Sequence, residues 1–137
     1  MQKATIVIVL AIAGFAAALL AEVPPIGPEE KKKLASHIVD AKVVQVFAAQ
    51  EDSGKGFVNT VYAIEVTIVR VDKGEKVEAG QTLFVKAWRA SKRPSGWVGP
   101  SGQYEIPKPG DAVQLFMTQT NSAYQALSPN GIEVVKP

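Results

Sequence analysis

The chain has 137 residues, with 15 Lys or Arg, 13 Asp or Glu, one His and no Cys. This length suffices for one domain, and the near-balanced charge argues against a general polyanion binder. The lack of Cys excludes disulfides and thiolate metal sites, and a single His excludes a metal site built from several His.

The first 21 residues are predicted to be a secretory signal peptide. A short positive n-region precedes residues 4–20, a run of 17 dominated by Ala, Ile, Val and Leu. Cleavage after Ala21 and cleavage after Ala18 are both open, and the second fits the preference for small residues better. The alternative is an uncleaved anchor, although 17 residues lie at the short limit for a bilayer span. We therefore expect export to the periplasm or the extracellular space.

Residues 22–36 are predicted to be an extended lead-in followed by a short helix. Three Pro and one Gly within residues 22–28 favour extended chain. Pro28 suits the first position of a helix, and the two Glu that follow it suit the positive end of the helix dipole. The three Lys at residues 31–33 are expected to form a solvated helix face rather than a nucleic-acid contact.

Residues 37–137 are predicted to fold as a single all-β domain. The longest β-forming run, residues 59–71, places Tyr62, Ile64, Val66 and Ile68 on one face, so that this face can line a core. Further strands are expected at residues 38–49, 81–90, 111–119, 124–127 and 132–135.

Irregular segments separate these strands. The alternation slips at Val43 and Val44, which predicts a bulge or a strand with two half-buried faces, and residues 51–56 are expected to form a turn. The Asn-Gly pair at residues 130–131 is typical of a hairpin joining the last two strands. Residues 91–110 hold four Pro and four Gly, which predicts a long loop.

Five or six strands without a long helix favour a small antiparallel OB-like barrel, with a β-sandwich as the alternative. Several segments also resemble the netrin-like module, whose OB-type barrel is shared by the tissue inhibitors of metalloproteinases. They are H-I-V-D-A-K-V-V, V-Y-A-I-E-V-T-I-V-R-V-D-K-G, T-L-F-V-K-A and G-D-A-V-Q-L-F, within residues 37–116. Modules of that family are braced by disulfides, and the inhibitors coordinate zinc through an N-terminal Cys. Because this chain has no Cys, the resemblance implies the barrel but does not carry over inhibition.

Residues suited to catalysis are few. His37 lies next to Ser36 and near Asp40 in sequence only, and the carboxylates are spread singly along the chain. Asp40 and Glu65 are interpreted as outward-facing strand positions. We predict no catalytic residues, no metal site and no cofactor.

An aromatic and basic cluster within 17 residues is the candidate binding site. It holds both Trp and two of the three Arg of the chain, and such side chains can stack on sugars, bases or other side chains. In the alternative interpretation, Trp88 plugs one end of the barrel and Trp97 fixes the loop over it. The candidate ligand-binding residues are Trp88, Arg89, Lys92, Arg93, Trp97 and Tyr104.

The sequence thus favours an exported, non-enzymatic binding module that uses this loop. Its expected partner is a protein or a glycan in the exported compartment, with no integral membrane partner implied, and the charge balance disfavours nucleic acid. The alternative, on the netrin-like resemblance, is an inhibitor or regulator of an extracellular enzyme. A hydrolase is disfavoured by the single His and the scattered carboxylates.

Overall fold

A computed structural model describes residues 24–136, and the signal-peptide prediction for residues 1–21 lies outside this part of the chain. Between residues 24 and 136, no helix is long and apolar enough to cross a membrane. The described residues form one helix and six strands: α1 (Pro28–Leu34), β1 (His37–Gly54), β2 (Phe57–Lys73), β3 (Thr82–Lys92), β4 (Ala112–Thr120), β5 (Ala123–Ala126) and β6 (Ile132–Val134).

The strands form a closed ring in the order β1-β2-β3-β5-β4, which the pairing of β4 with β1 completes. Neighbours are antiparallel except β3 and β5, which pair in parallel through two residues. β6 adds to β4 beside the ring. The prediction of a small, all-β, OB-like barrel preceded by a short helix is confirmed.

The barrel interior is filled by the alternating faces of its strands. Val66 and Ile64 of β2 are fully buried, and Tyr62 packs against the same core from a half-buried position. The predicted inward face of β2 is therefore correct. The buried core consists of Val39, Ala41, Val43, Ile64, Val66, Ile68, Leu83, Val85, Ala87, Val113, Leu115, Met117, Ala126 and Ile132.

The β1–β2 hairpin is longer than the sequence predicted. The sequence predicts a turn at Glu51 and Asp52, but these residues pair with Asn59 and Val58 as part of the ladder. The turn itself is confined to residues 55–56, both of which have positive φ angles. The predicted bulge in β1 is confirmed, since the register slips by one residue between Val43 and Gln45.

The predicted hairpin between β5 and β6 is wrong. Both strands pair with β4, β5 along its second half and β6 along its first half, so they lie end to end on one edge. The intervening chain loops out. The Leu127 N–H donates to the Phe116 carbonyl at 2.9 Å, and the Phe116 N–H donates to the Gly131 carbonyl at 2.8 Å. A Cβ at Gly131 would overlap the backbone of Leu127, so the glycine serves this close approach rather than a hairpin turn.

Helix α1 has Pro28 at its start, as predicted. The prediction that all three of its lysines are solvated is wrong for Lys31. Lys31 is only 4% exposed. Its ammonium pairs with Glu133, donates to the Asn130 carbonyl at 3.0 Å and lies 4.3 Å from the ring centroid of Phe116. Because the helix packs against the barrel, the side chain of Lys31 on its inner face is buried. The other two lysines, at residues 32 and 33, are exposed as expected.

Candidate functional site

The C-terminal parts of β1 and β3 and the N-terminal part of β2 project beyond the barrel ring as a three-stranded sheet. β4 pairs with β1 only as far as Lys42, and β5 pairs with β3 only at Val85 and Lys86. Beyond these points, β1 and β2 continue to pair down to the turn at residues 55–56, and β3 follows β2 as far as Lys92. This projecting sheet carries the candidate site.

A groove of about 590 Å³ lies on the side of the projecting sheet that faces away from the barrel core. Because Tyr62 and Ile64 point towards the core, the intervening Ala63 and its neighbour Val61 point the other way. Two cross-strand rows form the floor and sides of the groove, and we call this surface the groove face. The rows are Phe47–Ala63–Lys86 and Ala49–Val61–Trp88.

Apolar side chains dominate the groove face, and polar side chains stand at its margin. Phe47 is 51% exposed at one wall, and Trp88 is half-buried at the other. The small side chains of the two Ala in the floor leave room between these rings. The polar residues that line the groove are Glu51, Asn59, Lys86 and Gln125.

Arg93 connects the groove face to the loop that follows β3. Its guanidinium carbon lies 5.5 Å from the ring centroid of Phe57, 6.0 Å from that of Trp88 and 5.9 Å from that of Trp97. These are cation–π distances, and each such contact contributes roughly 0.5–1 kcal/mol at a partly exposed site. Pro94 follows immediately, ends the strand and turns the chain towards Trp97.

The guanidinium also makes hydrogen bonds to the neighbouring strand. Nη1 donates to the carbonyls of Val58, at 3.2 Å, and Lys92, at 2.9 Å, while Nη2 donates to Asn59 Oδ1 at 2.5 Å. Among residues 24–136, no carboxylate forms an ion pair with Arg93, and its buried Nε has no hydrogen-bond partner. Most of its donors are therefore used inside the protein, and its role is to hold the aromatic rings in place.

Trp97 is 41% exposed, so one part of its ring faces solvent. The ring of Phe57 meets it at 90°, with centroids 4.9 Å apart. A Cβ at Gly99 would overlap the Trp97 ring, so the glycine lets the indole pack closely against the loop backbone. Trp97 is thus fixed in position while it remains accessible.

The interpretation of Trp88 as a barrel plug is wrong. Trp88 points away from the core in the same row as Val61, and it is not among the buried core residues. The loop that follows β3 returns to Trp88, since the Gln103 N–H donates to the Trp88 carbonyl at 2.9 Å. Gly102 has a φ of 84°, and a Cβ there would overlap that carbonyl.

The other predicted site residues are distributed more widely. Arg89 is exposed on the face of β3 opposite to Trp88, as expected for consecutive residues in a continuing strand. Lys92 is exposed at the end of β3. Tyr104 is 48% exposed, and its backbone N–H donates to the Pro129 carbonyl at 2.8 Å. Of the predicted set, the structure brings together Trp88, Arg93 and Trp97.

Sequence reasoning missed the half of the candidate site that β1 and β2 supply. Phe47, Phe57, Asn59 and Val61 lie far from the loop in sequence. The pairing of Trp88 with Val61 could have revealed them, because residues opposite one another in a ladder share a face. That signal requires the strand register, which composition alone does not provide.

His37 occupies a structural position at the start of β1. Its Nδ1 is 2.8 Å from Ser36 Oγ, and its Nε2 is 2.9 Å from the carbonyl oxygen of Glu75. Its ring also meets that of Tyr124 edge-on at 5.1 Å, and a Cβ at Gly74 would overlap it. The imidazole therefore ties β1 to the chain that follows β2.

Asp40 and Glu65 occupy outward strand positions, as expected. Asp40 accepts a hydrogen bond from Arg70 Nε at 3.0 Å on the barrel surface, and Glu65 lies half-buried on the outward side of β2. Within residues 24–136, no three His, Asp or Glu are grouped so that they could hold a metal ion.

Comparison with protein-family models, with curated proteins and with solved structures found no match to this chain.

Proposed function

We propose that this chain is an exported, non-enzymatic binding module whose ligand lies on the groove face. The observation that carries the proposal is the preformed groove between Phe47 and Trp88, with an accessible and rigidly held Trp97 beside it. Binding sites are typically concave, largely apolar and formed before the ligand arrives. An exposed aromatic surface of this kind also marks protein interaction sites.

The lining favours a protein ligand over a glycan. The floor and the walls consist of Ala, Val, Phe and Trp side chains, and the polar groups stand at the margin instead of converging on one point. Apolar floors of this type accept the aliphatic or aromatic side chains of a partner segment, and large aromatic residues carry most of the affinity at such interfaces.

Arg93 supports this function by preorganising the aromatic residues. Because its hydrogen bonds to Val58 and Asn59 fix the guanidinium, the rings stacked around it lose little conformational freedom when a ligand binds. Arg93 of the predicted aromatic and basic cluster thus contributes by positioning the rings. Lys86, at the groove margin, is the cation placed to meet a ligand.

A display library of random peptides provides the probe, and two variants of β3 provide a matched comparison. Trp88→Ala removes one wall of the groove. Phe84→Ala removes an aromatic side chain of the same strand and the same face that is 53% exposed and does not line the groove. Ala63→Leu fills the floor without touching Arg93. We expect peptides with apolar side chains to bind the parent, and Trp88→Ala to weaken them about tenfold or more.

Phe84→Ala should change the affinity by less than about twofold, since scattered exposed apolar residues contribute little. Ala63→Leu should abolish binding while leaving the melting temperature nearly unchanged. Equal binding by the parent and Ala63→Leu would contradict the groove as the site. Binding of a glycan array with no peptide enrichment would contradict a protein ligand.

A further inference from the structure

The outer edge of β1 is unpaired along the projecting sheet. Between residues 24 and 136, no strand pairs with β1 on that side beyond Lys42, and the last backbone hydrogen bonds there are those of Val43 with residues 110 and 111. From Val44 to Asp52 the side chains are exposed, apart from the half-buried Val46. A free strand edge offers a row of unsatisfied N–H and C=O groups to another strand.

The parity of the ladder determines which backbone groups face outward. The Ile68 N–H donates to the carbonyl of Gln81, the residue just before β3, so even-numbered residues of β2 bond towards β3 and odd-numbered ones bond to β1. The β1 partners of those odd-numbered residues include Phe47 and Ala49. The backbone groups of Val46, Ala48 and Gln50 therefore point away from the sheet.

This edge lacks the usual protection against pairing. Natural edges are commonly blocked by Pro, by Lys or by bulges. Here the bulge at Val44 lies before the outward-facing residues, and the acidic residues Glu51 and Asp52 lie at their end. The residues between them, V-F-A-A-Q, contain no charge and no Pro.

We propose that this edge pairs with the same edge of a second copy of the chain, antiparallel about a two-fold axis at Ala48. In that register Phe47 lies opposite the small side chain of the second copy's Ala49, and Gln45 lies opposite the second copy's Glu51, whose carboxylate can accept from the amide. No like charges face one another. The pairs of outward-facing residues exchange about six hydrogen bonds.

Neighbouring registers are less favourable. Centring the pair on Ala49 sets Phe47 against the second copy's Glu51, and centring it on Phe47 drives the pairing into the bulge at Val44. The Ala48-centred register avoids both problems, since Phe47 meets Ala49 and Gln45 meets Glu51, while Val46 lies opposite Gln50.

The two-fold axis also joins two groove faces into one. Across the new pair, the row Trp88–Val61–Ala49 of one copy continues into the second copy's Phe47, Ala63 and Lys86. A ligand that crosses the axis would meet both copies, so dimerisation would lengthen the apolar surface. The dimer itself does not require the ligand, which separates this inference from the proposed function.

A short strand pair buries less surface than a standard interface, so we expect a reversible dimer with a dissociation constant in the micromolar range. Sedimentation of the chain, expressed from its full sequence, should show the mass rising towards twice that of the monomer between about 1 µM and about 1 mM. A monomer throughout this range overturns the proposal.

Cysteine variants test the register, because the parent has no Cys. In Ala48→Cys the two thiols face each other across the axis, within the Cα separation of about 4.4–6.8 Å that a disulfide needs. In Gln50→Cys, on the same outward edge, the two Cα atoms would be about 14 Å apart at the usual strand rise. We expect mild oxidation to cross-link Ala48→Cys at least tenfold faster than Gln50→Cys.

Equal cross-linking of the two variants would overturn the proposed register. As a second variant, Ala48→Lys sets two ammonium groups against each other at the axis and should keep the chain monomeric at every concentration, with an unchanged circular dichroism spectrum. A dimer that persists in Ala48→Lys would place the contact elsewhere. A monomeric parent that instead captures extended peptides on this edge would replace the second copy with a different partner.

Discussion

The guanidinium carbon of Arg93 lies 5.9 Å from the ring centroid of Trp97, in a contact that joins the end of β3 to the loop beyond it. The same guanidinium reaches back to Asn59 of β2. A single side chain therefore couples the position of an accessible indole to the register of two strands. Variants at these positions separate the stability of the loop from its proposed role in binding.

Arg93→Lys should loosen the loop although the charge is kept. An ammonium cannot reproduce the planar fork that bonds Val58 and Asn59 while stacking on aromatic rings. We expect a loss of about 1–3 kcal/mol in the free energy of unfolding, the usual size for hydrogen bonds of charged groups. Chemical denaturation measures it, with Lys92→Arg as the exposed control. An unchanged denaturation midpoint would show that the guanidinium contacts are unimportant for stability.

Trp97→Ala should cost little stability and much affinity. The side chain is 41% exposed and meets Phe57 edge-on, and an aromatic pair of this kind contributes about 0.5–1.5 kcal/mol. Loss of a stacking contact weakens ligand binding by about 1–3 kcal/mol. Thermal melting and peptide binding should be measured together, with the exposed neighbour Val98→Ala as control. A stability loss of about 3–5 kcal/mol, typical of a buried aromatic, would remove Trp97 from the binding surface.

Val66→Asp should prevent folding. Val66 is fully buried in the barrel core, and an unpaired carboxylate there would cost several kcal/mol of a total stability of about 5–10 kcal/mol. Val69→Asp is the matched control on the same strand, since Val69 is 63% exposed. Circular dichroism should show a folded control and an unfolded core variant. Two folded proteins with similar melting temperatures would contradict the assignment of the strand faces.

Lys31→Ala should destabilise the protein more than the same change at either neighbouring lysine. Lys31 is buried against the ring of Phe116 and pairs with Glu133, whereas Lys32 and Lys33 are exposed. We expect a loss of about 1–3 kcal/mol for Lys31 and less than about 0.5 kcal/mol for the other two. Urea titration of the three variants provides the comparison, and equal midpoints would mean that α1 contributes no stability.

The signal-peptide prediction implies that the protein loses its first residues on export. N-terminal sequencing or the intact mass of protein recovered from the exported fraction should identify cleavage after Ala18 or after Ala21. Membrane-bound protein that still begins at Met1 would contradict the signal-peptide prediction and favour the anchor.

The barrel could be predicted from the sequence because the relevant information is local. Ile64, Val66 and Ile68 alternate with less apolar residues, and that period alone specifies a strand with one core face. The end of β1 could not be predicted in this way. Glu51 and Asp52 are turn-forming residues by composition, yet the ladder with β2 keeps them extended.

Pairings between distant segments could not be predicted from the sequence either. The turn preference of Asn130 and Gly131 is genuine, but the shared edge of β4 determines where the flanking strands lie. The candidate site shows the same division. Trp88 and Trp97 were recognised because they are close in sequence, whereas Phe57 joins them only through the fold.

The closing pair of the barrel has a consequence for the speed of folding. β1 and β2 meet through a tight turn, so their hairpin can form within about 1–10 µs. The ring closes only when His37 reaches Met117, near the opposite end of the domain. Barrels with such distant pairings fold in about milliseconds to seconds, because the entropy of a long loop is lost before its contacts form. The hairpin should therefore form long before β4 docks beside it, and the docking of β4 should set the rate.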